Sequence, residues 1–291
     1  MADILYCGNG VVFDGILTSM LSVMRRTGTG EPFTFRIFTM DLHELKDGYT
    51  ALTERQAEFL DRTAKLYSPE NSVVRYDVTA FYKREFSGCP NENAYCSPYT
   101  LIRLLADIVL GGEVSGKLLY LDADIMFNRD VMLLYGTDVA GFEYAAARDH
   151  YGKYLIRPDY INAGVLLFNM DECARTGIFA KARDSLRKRK WLFADQDALW
   201  HSTSRKKLLP QRFNDQKFLW RHTVVRHFSK RLFWLPFPHT ANIKQWNISA
   251  VHRIFGYTCF DDILGEYVWL KKCFGRGMDI ARHEEEPPLQ S

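Results

Sequence analysis

Apolar residues in this chain come in two arrangements, short continuous runs and runs spaced at helical intervals, and their order predicts strand, turn and helix at the N-terminus. Ile4 to Cys7 is an apolar run closed by Gly8-Asn9-Gly10, after which Ile16, Leu17, Met20, Leu21, Val23 and Met24 recur with helical period until Gly28. Phe33 to Met40 reads as a strand, Thr53 to Leu66 as a helix with one polar face, and Val73 to Val78 as another strand. A loop over Ser87 to Pro98 carries Gly88, Pro90 and Asn91, and the helix after it shows Leu101, Leu104, Leu105, Ile108 and Val109 on one face before Gly111-Gly112. Further strands are predicted at Lys117 to Leu121, Gly164 to Phe168 and Thr223 to Phe228, and helices at Phe193 to Trp200 and Asp261 to Phe274. Strands alternating with helices indicate an α/β fold with a mostly parallel sheet.

Composition narrows this little further. With 47% hydrophobic residues, 19 Gly and 10 Pro in 291 positions, the chain is neither disordered nor fibrous. A net charge of +3 gives no reason to expect a nucleic-acid partner. No apolar run approaches the roughly 18 residues of a membrane span, and Met1 to Gly10 lacks a basic segment followed by an apolar one, so a cytoplasmic protein is expected. Cys7, Cys89, Cys96, Cys173, Cys259 and Cys273 are irregularly spaced, without a C-x-x-C pair, which suits reduced thiols.

Two D-x-D pairs occur, at Asp122 and at Asp195, and so short a pattern arises readily by chance. The first gains meaning from its place at the end of the run Leu118-Leu119-Tyr120-Leu121, because parallel sheets bind ligands beyond the carboxyl ends of their strands. Asp122 and Asp124, two apart on extended backbone, point to the same side. Two neighbouring carboxylates repel unless a cation lies between them, and a hard divalent ion with water or phosphate completing its shell is the natural solution. The plainer alternative is a strand-end turn whose aspartates cap the next helix or face water.

Together with Pro98-Tyr99-Thr100-Leu101-Ile102-Arg103-Leu104, Tyr160-Ile161-Asn162-Ala163-Gly164-Val165-Leu166-Leu167-Phe168-Asn169 and Asp195-Gln196-Asp197, this segment resembles glycosyltransferase family 8. These are retaining enzymes of GT-A fold, Rossmann-like with a mixed, mostly parallel central sheet, and they include bacterial lipopolysaccharide galactosyl- and glucosyltransferases and glycogenin. The likeness covers residues 3–256. It implies a GT-A domain over residues 1–256, a C-terminal helical extension over 257–283 packed on it, and a flexible tail over 284–291.

The resemblance further implies a UDP-sugar donor held by a divalent ion on Asp122, Asp124 and His227, the histidine lying in Val224-Val225-Arg226-His227-Phe228. Two oxygens and an imidazole suit Mn²⁺ better than Mg²⁺, which stays the second choice. His222 and His239 lie nearby in sequence but lack the strand or the following aromatic. Cys7, Gly8 and Asn9 match the uridine segment, where many relatives carry Asp at the position of Asn9, so the preference for uracil has weaker support here. Arg103, Ala123 and Asn162 are placed at the nucleotide-sugar, Gln196 on the face of the sugar opposite the leaving group, Asp195 on donor hydroxyls and Asp149 at the donor or acceptor side. Relatives also carry a phosphate-binding lysine in a G-x-x-K-P-W segment, whose register here is open: Lys230 is preferred for its closeness to His227, with Lys244, which precedes Gln245-Trp246, as the alternative.

The implied reaction moves a hexose, glucose or galactose, to a saccharide or a lipid- or protein-linked glycan with retention. An amide such as Gln196 is a poor nucleophile, which favours front-face departure and attack over a covalent intermediate. Two other readings stand beside it: a non-catalytic nucleotide-sugar or carbohydrate-binding protein on the same scaffold, and a nucleotidyltransferase, which should carry a basic residue in a Gly-rich first loop that Gly8-Asn9-Gly10 lacks. The basic and aromatic stretch from Lys217 to Trp234, with Trp269 to Phe274, suits either core packing with a solvated rim or peripheral contact at the inner face of a membrane.

Overall fold

Seven strands make the central sheet of the computed structural model, which describes residues 1–92, 97–233, 237 and 239–280. The expected tail over 284–291, the end of the extension over 281–283, Cys96 and Trp234 lie outside the described residues. In chain order the strands are β1 (Ala2–Cys7), β2 (Phe33–Thr39), β3 (Ser72–Asp77), β4 (Lys117–Leu121), β5 (Ile125–Phe127), β6 (Tyr144–Ala147), β7 (Val165–Asn169), β8 (Lys206–Leu209), β9 (Val225–His227), β10 (Arg231–Phe233) and β11 (His239–Ala241). The sheet order is β3-β2-β1-β4-β7-β6-β8; β5 pairs separately with β9, and β10 with β11. Within the large sheet only β7 runs against its neighbours, so it is mixed and mostly parallel, as the sequence pattern implies.

Helices cover both faces, which is why the central strands read as continuous apolar runs. Alternate residues sort between two cores. Ile4, Tyr6, Leu119, Leu121, Val165 and Leu167 enter one, while Leu5, Cys7, Leu118, Tyr120, Leu166 and Phe168 enter the other. The α-helices of eight residues or more among the described residues are α1 (Phe13–Arg26), α2 (Glu54–Tyr67), α3 (Thr79–Phe86), α4 (Ile178–Lys188), α5 (Ala194–Ser202) and α6 (Asp261–Arg276). A capping box starts α2: Thr53 Oγ1 accepts from Gln56 N, and Gln56 Oε1 accepts from Thr53 N. Helix α6 lies against the first core, with the Phe274 ring 4.9 Å from Phe13 and 5.0 Å from Phe59, and Asp262 paired with Arg25 and Arg26.

One predicted helix takes a different form. Pro98–Leu105 is a 3₁₀ turn and only Ala106–Leu110 is α-helical. All but Thr100 of the 3₁₀ residues are buried, so the segment is wedged into the second core, and tertiary packing sets its winding in place of an exposed amphipathic face. Strands β5, β6, β8, β10 and β11 were not foreseen: they are three or four residues long, and β6 is Tyr-Ala-Ala-Ala, a poor strand signal.

Candidate active site

The carboxyl edge of the sheet gathers the predicted residues. Strands β1 and β4 are parallel neighbours with Tyr6 opposite Leu121, so Cys7-Gly8-Asn9 and Asp122-Ala123-Asp124 leave the sheet side by side. Strand β7 starts where β4 ends, Val165 opposite Leu121, which brings Asn162 to Gly164 to the same edge; β6 delivers Asp149 there, and β8 leads to Asn214. Strand β9 sets His227 opposite Ile125, next to Asp124, and Phe228 N donates to Asp124 O at 2.8 Å.

Asp122, Asp124 and His227 each offer one ligand atom, all within 4.8 Å of one another. His227 Nε2 lies 3.1 Å from Asp124 Oδ1 and 3.8 Å from Asp122 Oδ2. A relay of hydrogen bonds fixes which ring nitrogen faces them. Gly164 N can only donate, so the Asn162 atom it meets at 3.0 Å is the oxygen, and Asn162 Nδ2 then donates to Asp149 Oδ2 at 2.9 Å. Asn214 Nδ2 donates to the same Asn162 oxygen at 2.9 Å, which turns Asn214 Oδ1 to His227 Nδ1 at 3.0 Å. Nδ1 therefore carries a proton and Nε2 is the nitrogen turned to the carboxylates, the one through which a neutral imidazole would bind a metal. Gly164 makes room for the group, since a Cβ there would strike the His227 ring and come within 2.9 Å of Asp122 Oδ2. Sequence reasoning missed Asn214, which sits in a short irregular segment with no period or motif to mark it.

Arg103 is buried beneath the carboxylates. Its Nη2 donates to Asp122 Oδ1 at 3.2 Å, Nη1 to Ala163 O, and Nε to Thr100 O at 2.9 Å, with Asp195 Oδ2 at 3.2 Å. Its guanidinium carbon lies 4.0 Å from the centre of the Tyr120 ring, and the Tyr120 hydroxyl donates to Asp122 Oδ1 at 2.5 Å. This guanidinium has protein acceptors along its length and ties Asp122 to Asp195. Burial raises the Asp195 carboxyl above its ordinary pKa, against the lowering pull of Arg103. At Asp124 burial also raises the carboxyl, but His227 and Lys244 outweigh it and hold it well below the usual range.

Of the two lysines weighed from sequence, Lys244 has its Nζ on Asp124 Oδ2 and 3.3 Å from Phe228 O, whereas Lys230 is exposed and lines the cavity farther out. The chain makes an excursion through β10 and β11 before returning Lys244 to the carboxylates. His222 lines a shallow pocket with Asn128 and Arg129, and His239 stacks on Phe233; neither joins the carboxylates.

Helix α5 presents Asp195 and Gln196 from a strained start. Ala194, with φ of 24°, is the one non-glycine residue of positive φ among the described residues. Gln196 Oε1 accepts from Ala163 N at 2.9 Å. Asp197 accepts from Phe193 N at 2.9 Å and from the Tyr160 hydroxyl, and so ties down the start of the helix. Asn9 Nδ2 donates to Gly48 O at 3.1 Å, Gly8 packs where a Cβ would strike Val12, and burial pushes the Cys7 thiol far up. The Ala123 carbonyl accepts from Gln245 Nε2 at 2.8 Å. Asp149, Asn162 and Gln196 line a cavity of about 510 Å³ whose outer wall includes Tyr151, Leu155 and Leu192.

The model of "Glycosyl transferase family 8" matches residues 4–217, close to three quarters of the chain. The chain belongs to glycosyl transferase family 8. Solved structures similar to this family 8 member include the bifunctional glycosyltransferase WbbM in apo form (TM-score 0.67, 16% identity, 94% of this chain and 51% of that one). Galactosyltransferase LgtC in complex with donor and acceptor sugar analogues follows at TM-score 0.60 and 17% identity over 91% and 95% of the two chains. Glycosyltransferase GlyE of Streptococcus pneumoniae TIGR4 gives TM-score 0.57 and 16% identity over 100% and 67%. The chain thus spans about half the length of WbbM, and at these identities the likeness establishes the GT-A fold. No protein of curated function matches the chain in sequence. No helix among the described residues is long and apolar enough to cross a membrane.

Proposed function

We propose that this family 8 member transfers a hexose, glucose or galactose, from a UDP-sugar to a saccharide or glycoconjugate acceptor with retention of anomeric configuration, in a Mn²⁺-dependent reaction, with Mg²⁺ as a weaker substitute. The observation that carries this reading is the convergence of Asp122 Oδ2, Asp124 Oδ1 and His227 Nε2 beside the cavity lined by Asp149, Asn162 and Gln196. Two oxygens and one imidazole nitrogen, with Asn214 holding Nδ1 and Gly164 leaving space, fit a divalent ion of Mn²⁺ type. When bound, such an ion supplies Lewis-acid stabilisation of the charge developing on the departing diphosphate.

The residues of the chain do the rest. Asn9 Oδ1 accepts the uracil N3 proton while its Nδ2 stays on Gly48 O. Lys244, already beside Asp124, adds positive charge at the diphosphate, and Arg103 acts as a strut that sets Asp122 and Asp195 at a fixed separation. Asp195 and Asn162 orient donor hydroxyls, and Gln196 faces the sugar from the side opposite the diphosphate. With Gln196 Oε1 accepting from Ala163 N, the amide is suited to support charge rather than to attack carbon, so the acceptor hydroxyl attacks from the face the diphosphate leaves and passes its proton to the departing diphosphate oxygen. Asp149, its Oδ1 anchored on Gly152 N at 2.7 Å, positions the acceptor. We place the protein in the cytoplasm, at the inner face of the membrane when the acceptor is membrane-bound.

A panel of UDP-sugars with Mn²⁺, followed by UDP release and repeated with a chelator, tests the reading. Metal-dependent release with one of them is expected. No metal-dependent binding or turnover with any would sink it, and binding without turnover would leave a non-catalytic carbohydrate-binding protein.

A further inference from the structure

Lys217 and Arg231 line two concavities at once: the cavity containing Asp149 and Gln196, and a smaller cleft of about 280 Å³. They form the ridge between the two. The cleft beyond is walled by Phe218, Leu219, Trp220, Ile254, Phe255 and Tyr257. Phe218, Trp220 and Ile254 are 41%, 54% and 41% exposed, an apolar patch continuous with the proposed acceptor cavity.

The ridge is positively charged, with Lys217 over the Phe218 ring at 5.3 Å and Arg231 over the Phe233 and Phe255 rings at 5.4 and 5.3 Å. Arg183 and Lys206 each hold a carboxylate, whereas among the described residues neither Lys217 nor Arg231 lies in ion-pair range of one. The nearest acid in sequence, Asp215, uses Oδ1 for the backbone N–H groups of Lys217 and Phe218 at 3.2 and 2.8 Å and has the Thr223 hydroxyl on Oδ2 at 3.4 Å. A third cation lies behind. Arg226, fully buried, packs its guanidinium on Phe228, Phe255 and Tyr257, donates to Asp215 O at 2.7 Å, and keeps an Nε with no hydrogen-bond partner.

Along one path the surface therefore runs from hydroxyl-binding groups through cations to an apolar cleft. We propose that Lys217 and Arg231 form an anion subsite for the acceptor, and that the acceptor is a saccharide joined through a phosphate to an apolar group. The sugar lies by Asp149, the phosphate on the ridge, and the apolar group on Phe218, Trp220 and Ile254. A neutral oligosaccharide would leave both cations without a counter-charge and set its hydroxyls against Leu219 and Ile254. This assignment rests on the transferase reading above and names the substrate class of that site.

Calorimetry on the full chain tests it with four probes: an octyl glycoside, the same sugar joined to octanol through a phosphodiester, a sugar phosphate without the alkyl chain, and a neutral trisaccharide. The phosphodiester glycoside is expected to bind about tenfold tighter than the octyl glycoside at low salt, as two charge-assisted contacts allow, with the gap narrowing as salt is added. In Lys217→Met/Arg231→Met the gap falls below about twofold, since only screened long-range attraction remains; Lys217→Met alone serves if the double variant melts early. A sugar phosphate that binds as well as the phosphodiester glycoside, a trisaccharide that outbinds both, or a double variant with full discrimination would overturn the proposal. UDP binding with Mn²⁺ on the same samples separates the two levels. Intact donor binding without a phosphate preference rejects the subsite alone, while absent donor binding rejects the transferase reading.

Discussion

Around Asp122, Asp124 and His227 the polar atoms of the site are held by protein partners, through Arg103, Tyr120, Lys244 and the Asn214–Asn162 relay, whereas across the cavity Leu155 and Leu192 stand 81% and 68% exposed. The first region hangs on strand ends of the large sheet together with β9 and positions its charges before any ligand arrives, so little reorganisation accompanies charge development there. The second is carried by short turns and a loop, where residues change at small cost to the fold. The contrast separates the parts of the reaction. In the proposed reaction, donor activation belongs to the sheet edge and acceptor choice to the exposed wall.

Predictions that break or sharpen this contrast descend from the sheet edge outward. Asp124→Ala should lower UDP release on the order of a thousandfold, the scale of losing a main electrostatic element, while circular dichroism stays native. Gly164→Ala should weaken Mn²⁺ binding by about a hundredfold, measured by electron paramagnetic resonance, because its methyl displaces His227 or Asp122, and should also cost about 1–3 kcal/mol in urea unfolding. Asn214→Ala frees the buried His227 Nδ1 and should weaken Mn²⁺ binding by about tenfold in the same assay, at a cost of about 1–3 kcal/mol in urea unfolding. At the wall, Leu155→Ser should change unfolding free energy by no more than about 0.5 kcal/mol and should shift acceptor KM rather than kcat. If Leu155→Ser lost as much activity as Asp124→Ala, the contrast would fail.

The carboxylate pair was legible in the sequence because a five-residue buried strand ends in it, so position gave weight to a pattern that spacing alone does not. His227 was reachable only through resemblance to a family, since one histidine after a β-branched run carries no signal of its own. Lys244 comes to lie beside Asp124 because the chain returns after β10 and β11, a path that spacing does not show. Asn214 and Gly164 matter through side-chain geometry at contact distance: one fixes a ring nitrogen and the other leaves a gap, and neither leaves a periodic trace. The fold itself was read more fully, since alternating buried strands and amphipathic helices carry long patterns. What escaped were strands of three or four residues and the 3₁₀ turn around Arg103, where tertiary packing overrides local preference.

The central claim is that Asp122, Asp124 and His227 hold a divalent ion that couples to the donor diphosphate. Calorimetric titration of UDP into the protein, with Mn²⁺ and then with excess chelator, tests it most directly. The account predicts one-site UDP binding that depends on Mn²⁺ and disappears in Asp124→Ala; equal UDP affinity with and without the metal, or an unchanged Asp124→Ala, would contradict it.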